Sequence, residues 1–326
     1  MSCDYLKDKY KVHEETECYF KLRAEAGTKS YEQLCIEDAR EGNVNNAKRF
    51  GGNIEFDGYI KEFSVPAVQS KDLEKYSIPV TVYRSKACDM VVAPSVFVYF
   101  HGGGNCVGSR QSVDSICKIF SRDAPCVVVN VEYRLAPEHK WPANQEDAKS
   151  AVRWVMMNKG LIGAVNESTV GVGGDSAGGR LAAMVCHELR GIKYQVLVYP
   201  SVDLKREGYQ SVTEFCDAPG LTMGMVDWFM GHYIDPSEYT NPKASPLYHT
   251  DTEFAKLPPA LIVLAELDQL RDMGYAYHEK LKKNGVKSQT HTVKGVTHGF
   301  FHLPEQFKEC CLRAHEKVAK FIKANS

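Results

Sequence analysis

The residues that could do chemistry fall into a few short motifs, and the first is Gly174-Asp175-Ser176-Ala177-Gly178-Gly179. It follows a β-type run at 169–173 and opens a helical pattern over 176–189 with Leu181, Met184 and Val185 on one stripe. Gly-x-Ser-x-Gly between a strand and a helix reads as a nucleophile elbow. The serine sits on a strained turn that lifts its hydroxyl clear of the sheet, and glycines two residues to either side let the chains pass closely. N–H groups at the start of the helix then face any developing oxyanion. The competing reading is a glycine-rich turn that cradles phosphate. It fails at Ser176, which stands where a Gly-x-Gly-x-x-Gly run from Gly171 needs its third glycine.

A second motif, His101-Gly102-Gly103-Gly104, directly follows a strand at 95–100. Three glycines at a strand end let backbone N–H groups converge on one point, as an oxyanion hole requires. Gly103 and Gly108 also have the spacing of a phosphate loop, but Ser109 occupies the place of its lysine. A serine nucleophile further needs an imidazole to take its proton and a carboxylate to fix the imidazole tautomer. With this kind of elbow the chain order is serine, acid, histidine. Of the histidines after Ser176, His298 sits in Gly295-Val296-Thr297-His298-Gly299-Phe300, between a strand at 288–293 and a last helix near 305–323. His302 is its nearest competitor. The expected acid is Asp268, which follows a strand at 260–265; Glu266 and Asp272 are the alternatives, Asp272 reading as a helix cap.

The elements that must hold these groups alternate. Strand patterns occur at 60–65, 78–83, 95–100, 126–131, 169–173, 194–199, 260–265 and 288–293, with helices near 143–158, 176–189, 272–283 and 305–323. The run Cys126-Val127-Val128-Val129-Asn130-Val131 has the continuous apolar character of a strand buried on both faces. Such alternation predicts a mostly parallel sheet with helices on both faces. Two stretches break the rhythm: the helical, charged first fifty residues, and 201–252 with its helix near 223–233. At 326 residues the chain is long for one plain α/β core. These two stretches account for the excess.

Composition excludes several classes. Forty Lys+Arg against 41 Asp+Glu leave a net charge of −1, so no broad basic face is available for nucleic acid. No apolar run approaches the roughly 18 residues of a transmembrane segment. The first ten residues carry Asp4, Lys7, Asp8 and Lys9 in place of a secretory apolar stretch. Eleven cysteines without a Cys-x-x-Cys pair fit neither a zinc ribbon nor a thioredoxin motif. They read as buried thiols in a reducing compartment, so a cytoplasmic location is expected.

Taken together, the motifs resemble the hormone-sensitive lipase family of α/β-hydrolases, especially its arylacetamide-deacetylase-like carboxylesterases. The resemblance rests on His101-Gly102-Gly103-Gly104, the elbow at 174–179, Tyr133-Arg134-Leu135-Ala136-Pro137-Glu138-His139 with Trp141-Pro142-Ala143, Leu257-Pro258-Pro259-Ala260, and His298-Gly299-Phe300. It covers roughly residues 55–325. It implies an α/β-hydrolase fold, a mostly parallel central sheet flanked by helices, with a helical cap subdomain. It also implies oxyanion donors at Gly102, Gly103 and Ala177. Asn105 stands where the family commonly has an aromatic residue, and Cys106 follows it.

The expectation is a single α/β-hydrolase domain over 1–326, with a cap from about 1–52 and 201–252 and a core from about 53–200 and 253–326. Ser176, His298 and Asp268 would cleave small, largely apolar esters of short to medium acyl length through an acyl-enzyme. Substrate contacts are expected at Asn105, Met225, Trp228 and Phe229, in part from a Met- and aromatic-rich stretch over 221–230. No metal or cofactor is expected, and a small-molecule ester is the partner; assembly is left open between a monomer and a homodimer. The alternatives are arylamide, formamide or thioester hydrolysis and, from another class, a ligand-binding receptor on the same fold. The retained His298 argues against the receptor.

Overall fold

A computed structural model describes residues 4–7, 9–67 and 76–326; Asp8 and the first three residues of the expected cap lie outside the described residues. Eight strands form one sheet: β1 (Gly58–Pro66), β2 (Ser77–Ser85), β3 (Val96–Phe100), β4 (Val127–Val131), β5 (Val170–Asp175), β6 (Gln195–Val198), β7 (Ala260–Leu267) and β8 (Ser288–Thr297). Their spatial order is β1-β2-β4-β3-β5-β6-β7-β8. β2 pairs antiparallel with β1 and β4, and all later pairings are parallel. The longer helices are α1 (Glu14–Glu25), α2 (Ile36–Phe50), α3 (Asp114–Asp123), α4 (Ala143–Met157), α5 (Ala177–Glu188), α6 (Met223–Tyr233), α7 (Arg271–Lys283) and α8 (Lys308–Asn325).

Alternation along the strands splits the core into two layers. Val96, Val98, Val129, Leu197 and Ile262 pack with α4, α5 and α7 on one face. Phe97, Tyr99, Val128, Val196 and Val263 pack with α3 and α8 on the other. A strand buried on both faces has no polar side, which is why β3 and β4 read as continuous apolar runs. The crossover helix α3 was not expected from the sequence; it covers the sheet with Ile116, Cys117 and Phe120.

The strand order fixes where a site can form. From β3 the chain crosses to β4 on one side, then returns to place β5 on the other. Ligands of open α/β sheets bind at such a reversal, outside the carboxyl ends of the strands. The 101–104 loop leaves β3 there, and the 174–179 turn leaves β5 beside it.

The two stretches outside the alternation meet above this point. Tyr31, between α1 and α2, stacks on Trp228 of α6 at 6.0 Å and tilts against Phe229 at 5.3 Å. Each is also anchored to the core. Gly295 O accepts from His13 N and from Thr16 Oγ1, both at 2.9 Å, and the Tyr19 ring lies 5.3 Å from Phe307. Beyond α6 the chain turns away from the site: Ala244 O accepts from the buried Arg180, and Lys280 Nζ donates to Leu247 O and His249 O. Only the first part of the 201–252 stretch therefore overlies the strand ends. Among the described residues no helix is long and apolar enough to cross a membrane.

His187, near the end of α5, stacks on His249 at 3.9 Å, and both imidazoles are buried. Burial, reinforced by the neighbouring imidazole, pushes the His187 pKa down to about 3. The unfolded chain takes up this proton near the ordinary value of about 6.5, whereas the folded chain refuses it until far lower pH. The contribution of His187 to stability is thus complete above about pH 6.5 and is lost as pH falls toward 3. Wild type should lose about 2 kcal/mol more than His187→Phe between pH 7 and pH 5, measured by urea unfolding at both values.

Candidate active site

The turn after β5 begins with steric necessity. A Cβ at Gly178 would run into the Phe100 carbonyl of the neighbouring strand, so α5 can start hard against β3 only with glycine there. The resulting tight turn holds Ser176 at φ 55° and ψ −118°, outside the favoured regions for an L-residue. Ser176 N–H donates to Val198 O at 2.8 Å, which pins the strained residue from the β6 side.

His298 arrives from the end of β8 and Asp268 from the end of β7. Ser176 Oγ lies 2.9 Å from His298 Nε2, and His298 Nδ1 lies 2.7 Å from Asp268 Oδ2. The Asp268 side chain is fully buried, and its other oxygen accepts from Leu270 N–H at 2.9 Å. A carboxylate so placed keeps the imidazole proton on Nδ1 and leaves Nε2 free to accept from the serine hydroxyl. Tyr199 packs 4.4 Å from the imidazole and limits its rotation. Glu266 and Asp272 are engaged elsewhere: Glu266 binds Lys294 Nζ at 2.6 Å and Gly295 N–H at 2.8 Å, and Asp272 binds Ser211 N–H at 2.8 Å.

The glycine loop differs in detail from expectation. Gly102 N–H donates to Asp175 Oδ1 at 3.1 Å, and that same oxygen accepts from Tyr99 Oη at 2.9 Å. The Gly102 donor is therefore occupied, whereas Gly103 and Gly104 line the cavity with Ala177. Gly103 adopts φ 109°, where a side chain would be strained and its Cβ would strike Val107 O. Among the described residues the N–H groups of Gly103 and Gly104 donate to no acceptor. That of Ala177, in the first turn of α5, has no intrahelical acceptor. Behind the loop, Tyr133 Oη donates to His101 O at 2.7 Å and the two rings stack at 4.4 Å.

These groups form the floor of a cavity of about 140 Å³. Met225 and Phe229 line it, as does Asn105, whose Oδ1 is turned to Asn144 Nδ2 at 2.7 Å. Trp228 does not line it; its indole packs on Tyr31 and His232 at the junction of the two covering segments. His302 does reach the cavity, with Nδ1 3.8 Å from Asp175 Oδ2. Burial lowers its pKa, so it is neutral there. Sequence reasoning missed Asp175 and Gly104 and, although it expected a cap from about 1–52, named none of the residues by which 19–46 lines the cavity. The role of Asp175 depends on contacts between β3 and β5 that no local spacing records.

Comparison with known proteins places these features in context. Residues 97–302 match the family described as the alpha/beta hydrolase fold. Esterase LipI of Mycobacterium tuberculosis is 38% identical over 225 residues, spanning 67% of this chain and 69% of LipI. An ethyl acetate hydrolase of Pseudomonas putida is 33% identical over 72% of this chain and 74% of its own. Among solved structures, a hyperthermophilic esterase of the archaeon Pyrobaculum calidifontis superimposes with a TM-score of 0.83 at 32% identity, covering 93% of this chain and 95% of that one.

Asp175→Ala would leave Gly102 N–H and Tyr99 Oη without their shared acceptor and free the loop to shift. On a p-nitrophenyl ester kcat should fall about 10- to 100-fold with KM little changed, a loss below that of deleting an oxyanion donor outright. Steady-state kinetics, with circular dichroism to confirm folding, checks this.

Proposed function

We propose, from the premise that the chain belongs to the hormone-sensitive-lipase-like group of the alpha/beta hydrolase fold family and is a carboxylesterase-type hydrolase, that it works through Ser176, His298 and Asp268 on esters of short to medium acyl length. The observation that carries the reading is the chain of contacts from Ser176 Oγ to His298 Nε2 at 2.9 Å and from His298 Nδ1 to Asp268 at 2.7 Å. Beside it stand the N–H groups of Gly103 and Gly104, which have no acceptor among the described residues.

In the proposed reaction Ser176 Oγ adds to the ester carbonyl carbon as its proton passes to His298 Nε2. Asp268 stabilises the imidazolium without taking the proton. The carbonyl oxygen becomes an oxyanion, accepted by the N–H groups of Gly103, Gly104 and Ala177. Collapse expels the alkoxide, which leaves as the alcohol with the proton from His298, and an acyl-Ser176 ester remains. Water then repeats the sequence: His298 removes its proton, the tetrahedral adduct forms and collapses, and Ser176 departs with that proton. The free acid leaves and the enzyme returns to its starting state. Every proton is carried by one imidazole, so no cofactor enters the scheme.

Acyl length follows from volume. An apolar cavity of about 150 Å³ holds a benzene ring, and the cavity here is about 140 Å³. An acyl chain of about four to six carbons suits that enclosed space, and the open side of the cavity leaves room for the second arm. Across p-nitrophenyl esters, kcat/KM should peak at butyrate to hexanoate and drop steeply by laurate.

Ser176→Ala should lose about 10⁴-fold or more in kcat and should lose the covalent label that a fluorophosphonate leaves on wild type. Wild-type protein that hydrolyses none of these esters and takes no label at Ser176 would sink the reading.

A further inference from the structure

The proposed chemistry uses the cavity floor but leaves its walls unexplained, and the walls are unlike. One is apolar and is built by Leu221, Met225, Val226, Phe229 and Met230 on and before α6. The other comes from the N-terminal segment and is polar: Tyr19 and Arg23 from α1, Tyr31, and Asn43 and Asn46 from α2. A cavity meant only for hydrocarbon has no use for a guanidinium in its lining. Placing one there costs solvation unless an anion or water meets it.

The hydrogen bonds of the polar wall do not satisfy it. Arg23 Nη1 donates to Tyr19 Oη at 3.0 Å, Tyr19 Oη donates to Asn46 Oδ1 at 3.0 Å, and Asn43 Nδ2 donates to Tyr31 Oη at 3.0 Å. A guanidinium has five N–H donors. Among the described residues Arg23 has that one acceptor, and no carboxylate pairs with it. Asn43 Oδ1 is buried without a partner. The other arginine of the lining, Arg206, differs in being paired with a carboxylate: Nη2 donates to Asp227 Oδ1 at 3.2 Å and Nη1 to Met223 Sδ at 3.1 Å, and only its buried Nε is without a partner among the described residues. A small recess continues the cavity past Arg23 to Lys29 and Ser30, so a second cation stands beside the first.

We infer that the cavity takes esters whose one arm ends in a carboxylate, received by Arg23, while the other arm is apolar and lies along α6. The inference rests on the esterase reading above. It deepens that reading by naming the substrate class: monoesters of dicarboxylic acids, or esters of hydroxy acids acylated on the hydroxyl. Arg23 is suited to the task because its planar fork pairs with a carboxylate through two parallel hydrogen bonds. The partly enclosed cavity strengthens that pairing relative to water. The Tyr19–Asn46 contacts hold the guanidinium in place, so little side-chain freedom is lost on binding.

Two matched pairs test it, each differing only in a terminal carboxylate against a carboxamide. Monobutyl adipate places the anion on the acyl arm, and the butyrate ester of an ω-hydroxyhexanoate places it on the alcohol arm. In one pair the carboxylate should be preferred by about tenfold or more in kcat/KM, the scale of a charge-assisted hydrogen bond, with the difference residing in KM. The preference should collapse in Arg23→Gln, persist in part in Arg23→Lys, and weaken as salt is raised from about 20 to 500 mM. The inference is overturned if neither pair favours the carboxylate, if the preference survives Arg23→Gln, or if Arg206→Gln alone removes it. It is equally overturned if neither pair is hydrolysed while p-nitrophenyl butyrate is. Failure of the esterase reading looks different: no ester of any kind is hydrolysed and Ser176 takes no label.

Discussion

The close approach of β3 and β5 at the reversal of strand order is the constraint from which the rest of the site follows. It exists because positions 174 and 178 carry no Cβ, which lets α5 begin against the Phe100 carbonyl. A chain that must leave β5 and enter a helix within so little space passes through the strained conformation at Ser176. The same turn raises the serine hydroxyl and aims the Ala177 N–H at the space above it. It also places the Asp175 carboxylate beneath the adjoining loop, where it collects Gly102 N–H and Tyr99 Oη. The proposed nucleophile, one proposed donor and the support for the others thus come from three consecutive residues.

A loop of three glycines has no stiffness of its own, and its bracing comes from the stretch after β4. Tyr133 holds His101 O, Ala136 N–H holds Asn105 O at 2.8 Å, and Arg134 is fixed to the fully buried Asp147 at 2.8–3.1 Å. Arg40 of α2 then donates to Cys106 O and Ala136 O at 2.9 Å and forks onto Glu138, holding that carboxyl down to about 2. An exposed pair such as Arg40–Glu138 contributes little to stability by itself. Its structural value is directional: it locks the N-terminal helices to the loop they overhang.

How far all this is legible in the sequence depends on the range of the interaction. Strands β3, β4, β6 and β7 declare themselves because burial on two faces demands nearly continuous apolar runs, whereas the half-exposed β8 shows through its β-branched residues. The elbow declares itself because its steric demand falls on residues two apart. Helix α3 hid in plain view: Ile116, Cys117, Ile119 and Phe120 carry a helical stripe, but Ser and Asp around them speak for loop. Which of the three glycine N–H groups is left free was illegible for a stronger reason. Gly102, Gly103 and Gly104 are alike in sequence. What separates them is a carboxylate seventy-three residues away and the two positive φ angles that follow. The polar wall is harder still, since Tyr19, Arg23 and Asn46 on charged helices have the pattern of a solvated surface.

That division has a consequence for how selectivity is built. The floor is assembled from strand ends, where hardly any residue can change without moving the sheet. The walls come from two excursions, each separately anchored to the core: one through Gly295 and Phe307, the other through its path back along the core helices to Arg180 and Lys280. They touch each other over the cavity where Tyr31 meets Trp228 and Phe229, and again beside it where Tyr10 meets Phe215 at 5.4 Å and Lys9 pairs with Glu214. Trp228 is thereby a seam residue, and Tyr31 belongs to seam and wall at once, since it lines the cavity and accepts from Asn43. These aromatic contacts, and not the residues of the floor, join the apolar wall to the segment that carries Arg23. The walls can therefore change by repacking where the two segments meet, while Ser176, His298 and the glycine loop keep their places.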